Sequence, residues 1–143
     1  MKLVVIDGQG GGVGKSIVQA LKRALPHQAV LALGTNAAAT AAMLKAGADM
    51  GATGENAICH QCRTARVIVG VVGIMHANAM LGEISPAIAA AVSGSEGQKV
   101  LIPLDRCGLI IAGVPPQPLE AVIRDAAAKV AELCGEARNE PDG

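Results

Sequence analysis

A buried strand, a glycine-rich turn and an amphipathic helix follow one another at the start of the chain, and this unit constrains the fold more than any other. Residues 3–6 are consecutively apolar, which is typical of a strand covered on both faces. Five glycines lie within residues 8–14. Apolar residues then recur at every third or fourth position, which predicts a helix that ends before Pro26. Such a unit is typical of a parallel sheet flanked by helices.

The rest of the chain continues this alternation of strands and helices. Further strands are predicted at residues 29–33, 67–72 and 99–104, and further helices at residues 37–46, 86–92 and 118–134. Thr35 or Asn36 is placed to cap the second helix, and Ser85 the third. The pattern predicts a three-layer α/β fold with a mainly parallel sheet of about four to six strands and helices on both faces. We expect one domain over residues 1–135 and a flexible tail over residues 136–143.

Three stretches lack a clear period and are interpreted from their composition. Residues 51–56 are rich in turn formers and are predicted to be a loop. Residues 57–59 are predicted to begin a short extended piece. Residues 109–112 are apolar and are expected to pair with the strand at 99–104.

Composition narrows the classes of function. Twelve Lys and Arg balance twelve Asp and Glu, and Phe, Tyr and Trp are absent, so neither the basic excess nor the stacking residues typical of nucleic-acid binding are present. No apolar run approaches the roughly 20 residues of a membrane-spanning helix. Four cysteines in a chain that is 51% hydrophobic do not resemble a disulfide scaffold. We expect a cytoplasmic protein that binds neither nucleic acid nor membrane, with Ala- and Gly-rich surfaces that favour a homodimer.

The glycine-rich turn has the features of an anion-binding site. Without Cβ atoms, the chain can bring backbone N–H groups close to a ligand, and the N-terminus of the following helix adds a partial positive charge. The sequence therefore predicts a binding or regulatory module for a phosphate-bearing small molecule, a nucleotide or dinucleotide. We expect at least one of Gly10 and Gly11 to serve the approach of that ligand rather than a backbone conformation.

A Walker-type nucleotide site is one alternative for this turn. Residues 12–16 resemble the end of a Walker A loop, in which Lys15 would hold terminal phosphates and Ser16 a magnesium ion. However, Gln9 replaces the first glycine of that signature. Asp105, the candidate magnesium ligand, follows a strand that a proline interrupts. A nucleotide hydrolase is the function that this interpretation predicts.

A dinucleotide site is the other alternative, although its signature Gly-x-Gly-x-x-Gly is incomplete. Starting at Gly8 it places Val13 at the third glycine, and starting at Gly10 it places Lys15 there. The acid that binds a ribose at the end of the second strand is missing as well, because Gly34-Thr35-Asn36 occupies that place. These groups would bond a ribose or a 2′-phosphate as neutral partners. This interpretation predicts an NAD(P)-dependent oxidoreductase.

Loops that follow the strands supply the remaining candidate residues. Ligands of parallel α/β sheets bind beyond the carboxyl ends of the strands, so these loops should converge on one cleft. Their Thr and Asn side chains serve either as helix caps or as ligand contacts, and Glu55 and Glu83 are candidates for a general base. The predicted cofactor-binding residues are Asp7, Gly8, Gln9, Gly10, Gly11, Gly12, Val13, Gly14, Lys15, Ser16, Gly34, Thr35, Asn36, Asn56 and Asn78.

A CxxC motif offers a third function, that of a metal-handling protein. Cys59 and Cys62, together with His60, are candidate ligands for zinc or iron. A structural site usually needs four ligands, and the chain has no second CxxC, so we expect no metal. A redox pair should open a helix after a strand, which this motif is not predicted to do. Cys107 and Cys134 are predicted to be packing residues.

Five strings of the sequence are distinctive in combination. They are VIDGQGGGVGK (5–15), ALGTN (32–36), MLKAGA (43–48), GATGENAI (51–58) and ANAMLGE (77–83). Together they resemble an uncharacterised bacterial family of small single-domain proteins that are known only as a domain of unknown function. The resemblance extends from residue 2 to about residue 130. It implies a Rossmann-like fold and brings no activity or ligand with it.

Overall fold

Strands and helices alternate along the whole of the described chain. The structure is a computed structural model that describes residues 1–104 and 108–139. The strands are β1 (Leu3–Asp7), β2 (Val30–Gly34), β3 (Met50–Thr53), β4 (Val67–Val71) and β5 (Gln98–Ile102). The helices are α1 (Gly12–Ala24), α2 (Ala37–Lys45), α3 (Glu55–Cys62), α4 (Pro86–Ser93) and α5 (Leu119–Asn139), and a short 3₁₀ helix covers Val72–Met75.

The five strands form one sheet in the order β3-β2-β1-β4-β5, and every neighbouring pair is parallel. This confirms the predicted three-layer, Rossmann-like α/β fold. From β1 the chain moves outward to β2 and β3, and then crosses to the other side of β1 to form β4. The carboxyl ends of β1 and β4 therefore flank the point where the direction of winding reverses, which is where α/β sheets bind ligands.

Helices cover both faces of the sheet. Helices α1, α2 and α5 pack on one face, where Leu21, Met43 and Val130 are fully buried against alternate strand residues. Helices α3 and α4 cover the other face through Ile58 and Ile88. The central strand β1 is buried along its whole length, as its unbroken apolar run predicts.

Capping side chains begin two of the helices where the sequence predicts. Asn36 Oδ1 accepts a hydrogen bond from the Ala39 N–H at 2.9 Å, which starts α2. Ser85 Oγ accepts one from the Ile88 N–H at 3.2 Å, which starts α4. Each cap satisfies one backbone donor that the helix itself leaves unpaired.

Two predictions for the middle of the chain are wrong. Residues 50–53 form β3 rather than a loop, because pairing with β2 makes a strand of four residues whose own sequence has no apolar run. Residues 57–59 lie within α3 rather than in an extended piece. The helix forms because Ile58 and Cys62, four residues apart, are both buried against the core.

The C-terminal part differs from prediction in two places. Residues 109–112 form no strand, and Ile110 is 91% exposed rather than paired with β5. Helix α5 continues past Gly135 to Asn139, so this glycine does not end it. The predicted tail residues 140–143 lie outside the described residues, as do Asp105 and Cys107.

None of the helices within residues 1–104 and 108–139 combines the length and the apolar character that crossing a bilayer requires.

Candidate functional site

A cavity of about 420 Å³ lies beyond the carboxyl ends of β1 and β4, at the reversal point of the sheet. The glycine-rich turn (residues 8–14) forms one wall, and the segment between β4 and α4 (residues 72–85) forms the opposite wall. Most of its lining is apolar, with a few polar groups, as in many small-molecule sites. The lining residues are Asp7, Gln9, Val13, Val71, Gly73, His76, Asn78, Ala79, Met80, Leu81 and Leu104.

Three glycines of the turn are required by the protein itself. Gly11 has a φ of +74°, and a Cβ there would lie 2.8 Å from Ala39 Cα. A Cβ at Gly8 would lie 2.6 Å from Thr35 Oγ1, and one at Gly14 would lie 2.7 Å from Asp7 Cβ. The required glycines therefore recur at every third residue, a spacing that neither nucleotide signature predicts.

Gly10 and Gly12 are different from these three. Both are exposed, neither has a positive φ, and a Cβ at either position would have no atom within 4 Å. Gly11 is thus a conformational and packing glycine, whereas neither conformation nor packing requires Gly10, and a role in the approach of a ligand stays a prediction for Gly10.

Backbone donors remain available around these two open glycines. The Gly11 N–H donates to Gly8 O at 3.0 Å, which closes a tight turn before α1 begins. Among the described residues, the N–H groups of Gly10, Gly12 and Val13 make no hydrogen bond. The first N–H groups of a helix have no intrahelical partner and carry part of the positive end of its dipole. An anion at this rim would find three donors.

Asp7 is a buried carboxyl group at the end of β1. It is 6% exposed, and its Oδ2 accepts a hydrogen bond from the Gly14 N–H at 2.7 Å. Burial raises the pKa of Asp7, the hydrogen bonds from the Gly14 and Gly8 backbones oppose that rise, and the negative charge of Glu83 adds to it. Asp7 therefore fixes the start of α1 while it lines the cavity.

Glu83 joins the ends of β1 and β2 through a single carboxylate oxygen. Its Oε1 accepts hydrogen bonds from the Gln9 N–H at 2.9 Å, from Thr35 Oγ1 at 2.7 Å and from Asn36 Nδ2 at 2.7 Å. The Gln9 backbone donor, and then the two side-chain donors, lower the pKa of Glu83 and keep it ionised at neutral pH. Within the described part of the chain, Oε2 has no hydrogen-bond partner.

The segment 72–85 has an unusual backbone. Asn78, Met80 and Leu81 have φ values of +66°, +56° and +56°, and the turn that faces them contributes Gln9 at +50°. These four are all the described non-glycine residues with positive φ, and all line the cavity. Strained residues of this kind concentrate at functional sites.

The structure separates some of the residues that the sequence grouped together. Lys15 is exposed on α1 and does not line the cavity, and Ser16 Oγ donates back to Gly12 O at 3.2 Å. Ser85, at the start of α4, donates from its Oγ to Glu55 at the start of α3, and Asn56 is exposed on α3. Gly34 packs so closely against Thr40 that a Cβ at position 34 would overlap the threonine hydroxyl.

The motif cysteines lie near the C-terminal end of α3, away from the cavity. Burial raises the pKa of the Cys62 thiol to about 11, with a further contribution from Cys59, and burial followed by the charge of Glu55 raises the pKa of Cys59. His60 is exposed. Within the parts of the chain that the structure describes, no three His, Cys, Asp or Glu side chains cluster as metal ligands do. Cys134 is buried in the core, as predicted.

Several residues of the cavity are missed by the sequence interpretation. Met80 resembles a core residue, and Leu104 follows a strand without any polar signal, whereas His76 lies in the loop 73–78 that the carboxyl-end rule selects. The carboxyl-end rule alone could have selected Leu104, since this residue follows β5.

Comparison with known proteins identifies a family and adds no ligand or activity. No curated protein and no solved structure matches the chain. The model of the family described as Domain of unknown function (DUF3842) matches residues 2–135, which confirms the resemblance seen in the sequence. The chain therefore belongs to this family, as a single small α/β domain.

Proposed function

We propose that the protein binds a phosphate-bearing small molecule, a nucleotide or dinucleotide, in the cleft between the glycine-rich turn and the segment 72–85. The observation that carries this proposal is the pair of open glycines, Gly10 and Gly12, which lie in sequence between Gln9 and Val13, two residues that line the cavity at the reversal point of the sheet. Neither glycine serves the backbone or the packing. Close approach of a ligand to the chain is the physical use that remains for them.

The donors that are already engaged favour one part of the turn for the phosphate. Glu83 already takes the Gln9 N–H, and Asp7 takes the Gly14 N–H. The N–H groups of Gly10, Gly12 and Val13 remain, and those of Gly12 and Val13 belong to the positive end of α1. The phosphate is therefore expected to lie against residues 10–13, with the apolar part of the ligand in the cavity.

The geometry favours a binding or regulatory module over an enzyme. Of the two candidate general bases, Glu55 is engaged with Ser85, and Glu83 accepts three hydrogen bonds that lower its pKa and so make it a weaker proton acceptor. Ser16 Oγ donates to Gly12 O, and Asp105, the candidate magnesium ligand, lies outside the described residues, so the hydrolase alternative gains no support. The ionisable side chains in the lining are Asp7 and His76.

Calorimetry with ATP, ADP, NADH and NADPH tests this proposal on wild type, Gly10→Ala and Gly12→Ala. We expect at least one nucleotide to bind the wild-type protein, and both variants to weaken its binding tenfold or more, about 1.4 kcal/mol, without loss of stability. Arg63→Ala is the control, because Arg63 lines a different cavity at the amino ends of the strands. Loss of binding in that variant, or failure of all four nucleotides to bind, would contradict the proposal.

A homodimer also remains a proposal, and exposed apolar side chains beside β5 support it. Ile111 and Val114 are each 43% exposed, close in sequence to the almost fully exposed Ile110. Sedimentation at increasing concentration should show a dimer that Ile110→Asp weakens. A monomer at all concentrations would refute it.

A further inference from the structure

We propose that Glu83 is the ribose-binding acid of this cleft and that the ligand is a dinucleotide without a 2′-phosphate, of the NAD type. The inference rests on the proposed function and names the class of nucleotide. It follows from three observations: where the carboxylate lies, which of its oxygens is open, and where the cavity lies relative to it.

The Glu83 carboxylate lies where dinucleotide-binding sheets carry an acid, at the end of the second strand, and this sequence has no acid of its own at that position. Dinucleotide-binding sheets carry an acid at the end of the second strand, beside the glycine turn, and it accepts hydrogen bonds from the ribose hydroxyls. Here β2 ends at Gly34 and continues into Thr35 and Asn36, which are neutral. Glu83 brings a carboxylate to this place from the other side of the sheet, at 2.7 Å from each of these two side chains.

The carboxylate also lies against the glycine turn. A Cβ at Gly8 would lie 3.2 Å from Glu83 Oε1, and the Gln9 N–H donates to the same atom. The group thus occupies the corner between β1 and β2, next to the rim at residues 10–13. A side chain 47 residues distant from Asn36 in sequence fills the role that a residue of β2 fills elsewhere.

The second observation is that the two carboxylate oxygens differ. Oε1 receives all three protein hydrogen bonds, which hold the group in one orientation, and Oε2 receives none from the described residues. An ionised carboxylate is purely an acceptor, whereas a ribose diol offers two hydroxyl donors. Oε2 is therefore ready to accept from such a diol without further ordering of the side chain.

The same charge selects against a 2′-phosphate. Replacing the 2′-hydroxyl by a phosphate removes a donor to Oε2 and brings like charges together. Sites that accept the 2′-phosphate place an arginine nearby. The donors to the Glu83 carboxylate are instead the Gln9 backbone and the neutral side chains of Thr35 and Asn36.

The third observation favours a dinucleotide over a mononucleotide. The cavity lies on the β4 side of the glycine turn, and Glu83 does not line it. Gln9 lies between the two places, since its N–H bonds Glu83 while the residue lines the cavity. A ribose at Glu83 and a second ring system in the cavity are bridged by a diphosphate across residues 10–13.

The test measures dissociation constants of NADH, NADPH and ADP for wild type, Glu83→Gln and Glu96→Gln. Glu96→Gln is the matched control, because it removes the same charge at the opposite end of the sheet. We expect the wild type to bind NADH at least tenfold more tightly than NADPH or ADP. Glu83→Gln should weaken the binding of NADH about tenfold, so that the dissociation constants of NADH and NADPH become nearly equal. Glu96→Gln should behave like the wild type.

Different failures distinguish this inference from the proposed function. Similar dissociation constants of NADH and NADPH for the wild type overturn the inference. Equal weakening of the binding of both dinucleotides by Glu83→Gln also overturns it, because that result would indicate a merely structural role. If ADP binds as tightly as NADH, the ligand is not specifically a dinucleotide, but the proposed function remains intact. Absence of all nucleotide binding overturns both. If Glu83→Gln does not fold, the wild-type ratio still decides.

Discussion

The two walls of the cleft are built in opposite ways. The glycine-rich turn (residues 8–14) takes most of its shape from glycines, since Gly11 supplies a positive φ and Gly14 the close packing of α1 on β1, and Gln9 at +50° is its one strained non-glycine residue. The segment 72–85 places Asn78, Met80 and Leu81 in the same left-handed region without a glycine at any of the three. One wall is specified locally, and the other is held in place by the contacts it makes.

Those contacts are identifiable. The Asn78 N–H donates to Ile84 O at 2.7 Å, and the Ile84 N–H donates to Ala79 O at 3.1 Å, with Ile84 and Ala79 both buried. Glu83 then ties the segment to the turn and to the end of β2. The comparison indicates that strain in one wall is maintained by burial and hydrogen bonds, as at many binding sites.

The largest expected effect separates the glycines of the turn. Gly11→Ala should lower the free energy of unfolding by about 2 kcal/mol or more, because positive φ is costly for an L-residue and the methyl group would meet the Ala39 backbone. Gly10→Ala is the matched control and should change it by less than about 0.5 kcal/mol. Urea unfolding measures both, and equal losses would mean that the turn is not divided in this way.

The next effect tests the connection between the walls. Glu83→Ala removes the acceptor that three donors share and should cost roughly 1–2 kcal/mol, limited by the partial exposure of the carboxylate. Because the folded pKa lies below the unfolded value, this stabilisation is present above about pH 4.5 and is lost as the pH falls through the folded pKa. Glu132→Ala, on the exposed face of α5, should cost almost nothing. A similar loss in both variants would refute the connection.

A smaller effect concerns Asp7, whose pKa shift is opposite in sign to that of Glu83. The folded pKa is raised above 3.8, so the folded state binds the proton more tightly, and stability falls as the pH rises from about 3.8 through the folded pKa. Asp7→Asn keeps an acceptor for the Gly14 N–H and cannot ionise. Relative to the wild type, the melting temperature of this variant should therefore increase as the pH rises over this range, and it should equal or exceed that of the wild type at pH 7. A decrease relative to the wild type over the same range would show that burial does not dominate.

The smallest effect is relief of strain in the segment 72–85. Leu81 is 97% exposed with a φ of +56°, so Leu81→Gly should stabilise the protein by about 0.5 kcal/mol. Leu44→Gly, at an exposed position of α2, should have the opposite sign, since glycine costs about 1 kcal/mol within a helix. Loss of stability in Leu81→Gly would mean that the leucine itself makes a stabilising contact.

The parts of the fold that could be predicted from the sequence are likewise those with local signals. The strands β1, β2, β4 and β5 and the caps at Asn36 and Ser85 could be located from the sequence, because apolar runs and caps are local signals. Strand β3 could not, since it owes its conformation to the neighbouring β2. Helix α3 could not either, because it follows Gly54 without a capping side chain.

The candidate site divides along the same line. Local sequence is sufficient to locate the glycine-rich turn, the start of α1 and the α/β alternation, because clustered glycines and apolar periods are local signals. Only the assembled sheet places β4 beside β1, and this pairing brings the segment 72–85 over the turn. Thr35 and Glu83 are 48 residues apart, and no pattern along the chain signals that their side chains bond. A carboxylate at the end of β2 is therefore a property of the tertiary structure, since burial and strand order, rather than spacing, decide which distant residues meet.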